Sequence, residues 1–361
     1  MACTDTATQQ TQDNVVTVLP DTGFYKRLEG TWDGKKVVVN LSFDGNSYRG
    51  SNLFIPVKNI WQLLQPYTEE NHPTTLTFEI GTSGNDIFIL HTLDWKAWYI
   101  SGKDSVALQL QESYPVGTIQ FAYYSLKDSQ QQCFHDTTCI NATAEHSFPL
   151  PVSPNQSIQD WLHSVLTLDT LSNQPDVFTG VQTLHQQFFE GWRSVLPDAS
   201  DSSDIPASFY NFSSYDQVSI LYNDCGILAL EAFQYTYEGG AHGNYFSTQY
   251  CYDLREMKKL KLHDILQLDS IALQHAVEKN FRKQYHLGKK PLNEILFENN
   301  LPYSENWFAT STGIQFLYNP YEVAPYAVGQ IRVFVPFEDI LSILQPAWRE
   351  RLEQQNCEQT H

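Results

Sequence analysis

Apolar and polar residues alternate along most of the first 125 residues, which is the pattern of strands that bury one face. The clearest run spans residues 36–43, and Asp-Gly pairs at 33–34 and 44–45 bracket it with strong hairpin turns. A Pro-led segment at 56–64 predicts a short helix within this region. The pattern therefore predicts an N-terminal antiparallel β module over residues 24–128, with about eight strands that form a curled sheet or a barrel.

The hydrophobic period becomes helical after residues 129–154, a polar stretch with prolines that predicts a linker containing a cysteine loop. Apolar residues in 158–166 recur at i, i+3, i+4 and i+7, and a second stripe of this kind runs through 177–195. Further helices and strands interleave beyond them without regular βαβ units. Residues 155–345 are thus expected to form an α+β region with an antiparallel sheet and packed helices.

Both ends of the chain have a distinct character. Residues 1–23 are polar and low in complexity, which predicts a flexible tether. Cys3 follows a small residue and precedes this tether, as at the mature start of a bacterial lipoprotein, so we expect lipid attachment at Cys3; an ordinary disordered terminus is the alternative. No stretch approaches the roughly 20 apolar residues of a spanning helix, so the expected membrane contact is the lipid anchor alone. A final helix is predicted from Glu338, followed by a tail over 346–361.

The charge balance narrows the classes of partner. The chain has 22 Lys and Arg against 41 Asp and Glu, a net charge of −19 at pH 7. A nucleic-acid binder is excluded, because binding to a phosphate backbone needs a basic surface. An anionic membrane surface is disfavoured for the same reason. The negative field instead attracts cationic proteins.

The cysteine spacing favours disulfides. Cys133 and Cys139 flank a short polar loop, and no second Cys-x-x-Cys pair accompanies them as a zinc site would require. Cys225 and Cys251 lie on two predicted neighbouring strands whose turn centres on residue 238, which places them opposite each other. We therefore predict two disulfides and an oxidising, exported environment, either periplasmic or at the cell surface.

Enzymatic templates such as a Walker loop, a nucleophile elbow or His-Glu-x-x-His are absent from the sequence. The segment 235–245 contains Glu238 and His242 around a Gly-Gly pair, which predicts either a glycine turn between strands or an acid/base pair. The histidines do not recur at metal-ligand spacing, so neither a metal nor a cofactor is expected. A structural role for the Gly-Gly segment is the favoured interpretation.

A second aromatic segment, residues 318–326, is punctuated by prolines and predicts a rigid loop. Its tyrosines either pack in the core or contact a partner. Together the two segments supply the candidate binding residues: Tyr237, Glu238, His242, Tyr321, Glu322 and Tyr326.

Five short motifs occur in a specific order. They are Tyr-x-Tyr-x-Gly-Gly-Ala-His at 235–242, Leu-x-Leu-x-Asp-Ile-Leu at 260–266, Trp-Phe with Thr-Gly-Ile-Gln-Phe at 307–316, Tyr-Glu-x-Ala-Pro-Tyr-Ala-x-Gly at 321–329 and Val-x-Val-Pro-Phe at 333–337. This set resembles the extracellular domain pair of unknown function found in the lysozyme-sensing anti-sigma factor RsiV and beside peptidoglycan deacetylase domains. The resemblance covers about residues 145–345.

The resemblance implies a non-catalytic α+β domain pair over 155–345 that binds a lysozyme-like or other cationic protein, or a cell-wall ligand. The sequence lacks the sigma-binding segment and the deacetylase domain of those relatives, so extracytoplasmic binding is the expected function and no enzymatic activity is expected. Two alternatives stay open. One is an envelope glycan hydrolase that uses Glu238 and His242 with a carboxylate such as Glu322, and the other is a carrier that holds a small ligand inside a closed β module.

Overall fold

A computed structural model of the chain describes residues 17–18, 23–45, 47–48, 51–55, 60–64, 74–80, 86–134, 138–153, 155–166, 176–196, 207–267 and 269–358. The first strands are β1 (Thr17–Val18), β2 (Phe24–Trp32), β3 (Lys35–Phe43), β4 (Ser51–Ile55), β5 (Ile60–Leu64), β6 (Thr75–Ile80), β7 (Asp86–His91), β8 (Lys96–Ser101), β9 (Asp104–Gln109), β10 (Gln111–Glu112), β11 (Phe121–Phe134) and β12 (Thr138–Pro151). The α-helices and strands that follow are α1 (Gln156–Leu166), α2 (Val177–Ser194), β13 (Phe212–Asp224), β14 (Ile227–Glu238), β15 (Asn244–Asp253), β16 (Lys258–Lys259), α3 (Leu262–Ile265), α4 (Ser270–Gln284), β17 (Trp307–Ala309), β18 (Gly313–Tyr318), β19 (Ile331–Pro336) and α5 (Pro346–Glu358). The α+β class predicted from the sequence is confirmed.

The N-terminal strands form two open antiparallel sheets, in the orders β10-β2-β3-β4-β5 and β6-β7-β8-β9. Asp33 and Gly34 take positive φ angles of 49° and 73°, which gives the tight hairpin turn that the Asp-Gly pair predicts. The apolar faces of the two sheets share one core, to which Leu28, Phe78 and Phe88 contribute. The expected antiparallel module is present, but the described strands do not close into the barrel that a carrier would need.

The predicted helix at 56–64 is wrong over its described part, because Ile60–Leu64 is strand β5. Trp61 lies opposite Phe54 of β4. Its indole N–H donates to the Leu221 carbonyl (2.9 Å), and its ring packs against Phe308 at 4.8 Å. These tertiary contacts outweigh the local preference of the segment for a helix.

A seven-stranded sheet, in the order β1-β11-β12-β13-β14-β15-β16, forms the centre of the molecule. The predicted linker over 129–154 is wrong, because most of it belongs to the long β11–β12 hairpin of this sheet. Buried Ile140, Ala142 and Ala144 alternate with more exposed polar residues, but alanine is a weak signal of a strand. Helices α1 and α2 cover one face of the sheet.

The N-terminal strands pack directly on the central sheet. Arg27 of β2 is fully buried, donates to the Asn223 carbonyl (2.9 Å) and lies 3.3 Å from the Asp224 carboxylate. Lys36 pairs with the same carboxylate at 2.7 Å. Asn52 donates to the Ile220 carbonyl (2.5 Å). Buried polar contacts therefore connect the two parts of the chain.

The C-terminal part adds a three-stranded sheet, β17-β18-β19, and helices α3, α4 and α5. A helix is present where one was predicted from Glu338, but it is a short 3-10 helix, Phe337–Ile343, with a kink at Ile340. The predicted tail over 346–361 is wrong over its described part, because Pro346–Glu358 forms α5. Trp348 is buried, and Arg351 pairs with Asp253 of β15.

The structure confirms one of the two predicted disulfides. Cys133 and Cys139 are bonded, with Cα atoms 4.0 Å apart. The second prediction is wrong, because no disulfide joins Cys225 to Cys251. Cys251 lies opposite Ala229, since the last pair before the β14–β15 loop is Thr236 with Asn244 and the loop therefore centres on residue 240 rather than 238.

Cys3 and most of the predicted tether over 1–23 lie outside the described residues. Among the helices that the structure does describe, none combines the length and the apolar character needed to cross a membrane.

Candidate functional site

The loop between β14 and β15 contains the Gly-Gly-Ala-His segment. Gly239 and Gly240 take positive φ angles of 84° and 99°, which side chains disfavour. A Cβ on Gly239 would lie 2.3 Å from the carbonyl oxygen of Phe209, so there is no room for a side chain. The Tyr237 hydroxyl donates to the Gly240 carbonyl (3.0 Å). These contacts define the shape of the loop, and His242 is exposed on it.

A second loop, between β18 and β19, carries the other predicted binding residues. Tyr321 takes a positive φ of 68°, and its N–H donates to the Ala324 carbonyl (3.0 Å). The Glu322 carboxylate accepts the N–H of Asn319 (2.8 Å), and a 3-10 turn follows at Tyr326–Val328. These local bonds hold Tyr321 and Glu322 at the surface, where both are exposed.

The two loops meet through their aromatic rings. His242 stacks on Tyr326, with ring centroids 4.4 Å apart and an interplanar angle of 24°. The Tyr326 hydroxyl donates to the Gly243 carbonyl (2.8 Å), 83 residues away in sequence. The Tyr321 ring lies 5.6 Å from that of Tyr326. The structure thus brings together three of the six candidate residues.

Three more rings extend this contact along the sheet. Tyr245 lies 5.6 Å from Tyr326, Phe233 lies 6.0 Å from Tyr245, and Tyr215 lies 6.2 Å from Phe233. None of these side chains is fully buried. We call the whole set the aromatic surface; its six rings belong to Tyr215, Phe233, His242, Tyr245, Tyr321 and Tyr326.

The aromatic surface has an acidic border. The segments 235–246 and 319–330 contain the exposed Glu238 and Glu322 and have neither lysine nor arginine. Glu145 lies beside Tyr215 in the β12–β13 register, but it forms an ion pair with Lys127 (3.5 Å), so Glu238 and Glu322 carry the acidic character of the border. The electrostatic environment of the rings therefore favours positively charged groups.

The acid/base pair of the hydrolase alternative is not assembled. Neither a hydrogen bond nor an ion pair joins Glu238 to His242 in the described part of the chain, and His242 Nδ1 lies 2.9 Å from the Gly243 carbonyl. The Glu322 carboxylate is bound to the Asn319 N–H. Tyr237 also bonds within its own loop.

An ion pair with a buried carboxylate lies beside the aromatic surface. Arg332 of β19 donates two hydrogen bonds, of 2.6 and 2.7 Å, to the Glu231 carboxylate on β14. Ser247 and Gln249 of β15 donate to the same carboxylate at 3.0 and 3.2 Å. Burial tends to raise the pKa of Glu231, but the positive charge of Arg332 and these hydrogen bonds outweigh it and hold the pKa below its ordinary value. The pair connects the three-stranded sheet to the central sheet.

Amide side chains fix the second loop to β15. Asn319 accepts the Ser247 N–H (2.8 Å) and donates to the Ser247 carbonyl (3.0 Å). Gln330 donates to the Ser247 hydroxyl (2.9 Å). The positions of Tyr321 and Tyr326 relative to β15 therefore depend on buried and half-buried polar contacts.

Sequence reasoning missed a second polar cluster on the opposite face of the sheet. His146 of β12 contacts His185 of α2 through Nδ1 and Nε2 (2.8 Å), and its Nε2 lies 3.1 Å from the Asp216 carboxylate of β13. His146 and His185 are 39 positions apart, so their spacing in the sequence did not indicate a contact. The one available signal was a histidine within the apolar stripe of α2, a position that calls for a buried partner.

The remaining reactive groups are shielded. Burial raises the pKa of the Cys225 thiol to about 11 and that of the Cys251 thiol to about 12. Among the described residues, no three His, Cys, Asp or Glu side chains are placed to hold a metal ion together.

Residues 263–338 match the family model described as a protein of unknown function, DUF3298. No curated protein matches the chain. A solved DUF3298 family member from Bacteroides fragilis NCTC 9343 is 20% identical, with a TM-score of 0.55 over 65% of this chain and 98% of its own. A DUF3298 family protein from Pseudomonas aeruginosa PAO1 is 18% identical, with a TM-score of 0.47 over 65% of this chain and 98% of its own. The chain thus contains a DUF3298 domain over residues 263–338, and its fold is similar to that of the Bacteroides family member.

Proposed function

We propose that this protein is an exported, lipid-anchored bacterial envelope protein that binds a cationic protein, such as a lysozyme, through the aromatic surface and without catalysis. The observation that carries the proposal is the stacked His242–Tyr326 pair at the centre of six partly exposed rings with an acidic border. Tyrosine-rich patches of this kind supply much of the binding energy in protein interfaces.

Two properties of the surface support a cationic partner. Arginine and lysine side chains bind over the faces of tyrosine rings by cation–π attraction, and Glu238 and Glu322 offer charged acceptors next to those rings. The net charge of −19 steers basic proteins toward the molecule before contact. This long-range attraction accelerates association, whereas the rings determine which partner stays bound.

The choice of lysozyme rests on the resemblance of five ordered motifs, between 235 and 337, to the extracellular domain pair of RsiV. Export is supported by the Cys133–Cys139 disulfide, since such bonds persist in oxidising compartments. The anchor rests on Cys3 and the polar tether, and mass spectrometry of the protein from its native membrane should find Cys3 acylated rather than a free thiol.

Calorimetry with a lysozyme tests the proposal. We expect saturable binding that weakens, but persists, between low salt and physiological salt, where the Debye length is about 8 Å. Tyr326→Ala should reduce the affinity at least about tenfold, because it removes the central ring. Trp98→Ala is the matched control, since Trp98 also contacts a histidine, His91 (4.7 Å), but does so in the four-stranded sheet.

Two results would contradict the proposal. Binding that disappears at physiological salt, or that any protein of equal positive charge reproduces, would be non-specific attraction. An equal loss of affinity in Tyr326→Ala and Trp98→Ala would place the binding site elsewhere.

A further inference from the structure

Two buried histidines and a half-buried aspartate form a continuous chain between helix α2 and the central sheet. His185 of α2 contacts His146 of β12, and His146 contacts Asp216, its direct neighbour in the parallel β12–β13 pair. The two imidazoles are 4% and 6% exposed. This cluster lies on the helix-covered face of the sheet and takes no part in the aromatic surface.

The partners determine which ring nitrogens carry hydrogen at neutral pH. With Asp216 ionised, His146 donates its Nε2–H to the carboxylate, which leaves Nδ1 as an acceptor. His185 then donates its Nε2–H to that acceptor across 2.8 Å. One tautomer of each histidine therefore satisfies every contact in the cluster.

Added protons disrupt this arrangement in two steps. The cluster accommodates the first proton if it makes His146 cationic and His185 changes tautomer, moving its hydrogen from Nε2 to Nδ1. Nε2 of His185 then accepts the new Nδ1–H of His146. A second proton makes both rings cationic and sets two N–H donors against each other across the same 2.8 Å contact. That state is compatible only with a separation of His185, and hence of α2, from the sheet.

The acid–base properties agree with this geometry. Burial lowers the pKa of His146 to about 4, and burial together with the positive charge of His146 lowers the pKa of His185 to about 3. Burial raises the pKa of Asp216 to about 6, against hydrogen bonds from Gln234 and Ser214. Histidines released into water have a pKa of about 6.5.

Acid favours release of α2 because the two states hold different numbers of protons. Between about pH 6 and pH 4 the attached cluster holds about one proton, shared by His146 and Asp216, whereas the released histidines hold close to two. The released state binds more protons, so acid favours release. The loss begins as the pH falls below about 6.5 and is complete below the lowered pKa values of the attached histidines.

Other charged groups near α2 change the size of this pH effect on release but not its sign. Asp128 of β11 lies on the same face of the sheet, and burial raises its pKa, so it opposes release in acid as Asp216 does. His163 lies on the neighbouring helix α1. Glu190 and Arg193 lie on the solvent side of α2, where Arg193 donates to Gln130 (2.7 Å).

We propose that His146, His185 and Asp216 form a proton-operated latch that holds α2 on the sheet at neutral pH and releases it in acid. Release uncovers an apolar strip, because Phe189 and Trp192 of α2 pack on Ile140, Ala142 and Ala144 of β12.

Hydrogen exchange of the full chain at pH 7.5 and pH 5, corrected for intrinsic exchange rates, tests the latch. We expect the protection of α2 amides to fall by up to about tenfold per pH unit below pH 6, for one proton of net uptake, while α4 keeps its protection. His185→Gln should remove this response, because glutamine can donate to His146 but cannot be protonated. His275→Gln, at an exposed histidine of α4, is the matched control and should respond as the wild type does.

Equal protection of α2 at both pH values would overturn the proposal, as would a parallel loss in α2 and α4 or an unchanged response in His185→Gln. If that variant does not fold, nitrogen NMR of the wild-type imidazoles decides the question. Both histidines should carry hydrogen on Nε2 at pH 7.5, and a hydrogen on Nδ1 of His146 would contradict the latch.

Discussion

Two histidine contacts of similar geometry differ in what surrounds them. The ring centroids are 4.4 Å apart in the His242–Tyr326 pair and 4.8 Å apart in the His146–His185 pair. His242 is exposed at a loop, whereas His146 and His185 are buried between a helix and the sheet. In the second pair both nitrogens of His146 and Nε2 of His185 have polar partners, and burial lowers the pKa of both rings, so the stability of the pair depends on protonation.

Burial separates polar groups that maintain the fold from exposed groups that can bind a ligand. A buried polar side chain must keep its partners, because an unpaired donor or charge is costly away from water. An exposed ring or carboxylate exchanges its contact with water for a contact with a ligand at little cost. The buried clusters are therefore expected to control stability, and the aromatic surface is expected to control binding.

The largest expected difference concerns two glutamates. Glu231→Ala leaves Arg332 without its bidentate partner and should lower the free energy of unfolding by about 3–5 kcal/mol. Glu322→Ala removes an exposed carboxylate that caps a loop and should cost about 1 kcal/mol or less. Denaturant unfolding of both variants measures the difference, and similar losses would mean that burial does not separate the two groups.

Substitutions of His185 and His242 should differ by a smaller amount in their effect on the free energy of unfolding. His185→Ala removes a packed ring and leaves His146 Nδ1 without its partner, at a cost of about 2–4 kcal/mol. His242→Ala should change the unfolding free energy by about 0.5 kcal/mol or less, because its ring is exposed. Thermal unfolding of the two variants at pH 7.5 checks this order, and a larger loss for His242→Ala would reverse the assignment of roles.

The smallest expected difference in stability is between substitutions at the neighbouring glycines 239 and 240. Gly239→Ala should cost about 2 kcal/mol, because its φ is positive and the new Cβ would meet the Phe209 carbonyl. Gly240→Ala should cost about 1 kcal/mol, since its φ is positive but the space around it is open. Gly240→Val should cost more than Gly240→Ala, because a β-branched residue tolerates positive φ poorly. Equal costs at positions 239 and 240 would show that the contact with Phe209 does not constrain the loop.

Local signals account for the parts of the fold that the sequence predicted. The Asp-Gly pair at 33–34 favours one tight hairpin turn. Cys133 and Cys139 are only six positions apart, so a short loop is enough to bring their thiols together. The aromatic loops were also recognisable, because glycine, proline and tyrosine cluster in each.

Long-range features were not predictable in this way. The Cys225–Cys251 prediction depended on the centre of the β14–β15 loop, and a shift from 238 to 240 placed Ala229 opposite Cys251. The contact of His242 with Tyr326 depends on Asn319 and Ser247, which join the second loop to β15. The His146–His185 contact depends on how α2 packs on the sheet, and no local pattern encodes that packing.

Hydrogen exchange of the protein saturated with a lysozyme tests whether the aromatic surface binds this partner, because it locates the bound surface. We expect slower exchange in the β14–β15 loop and in the loop between β18 and β19, with no change in the four-stranded sheet that contains Trp98. Slower exchange confined to other segments, or no change at any segment, would contradict a binding role for the aromatic surface.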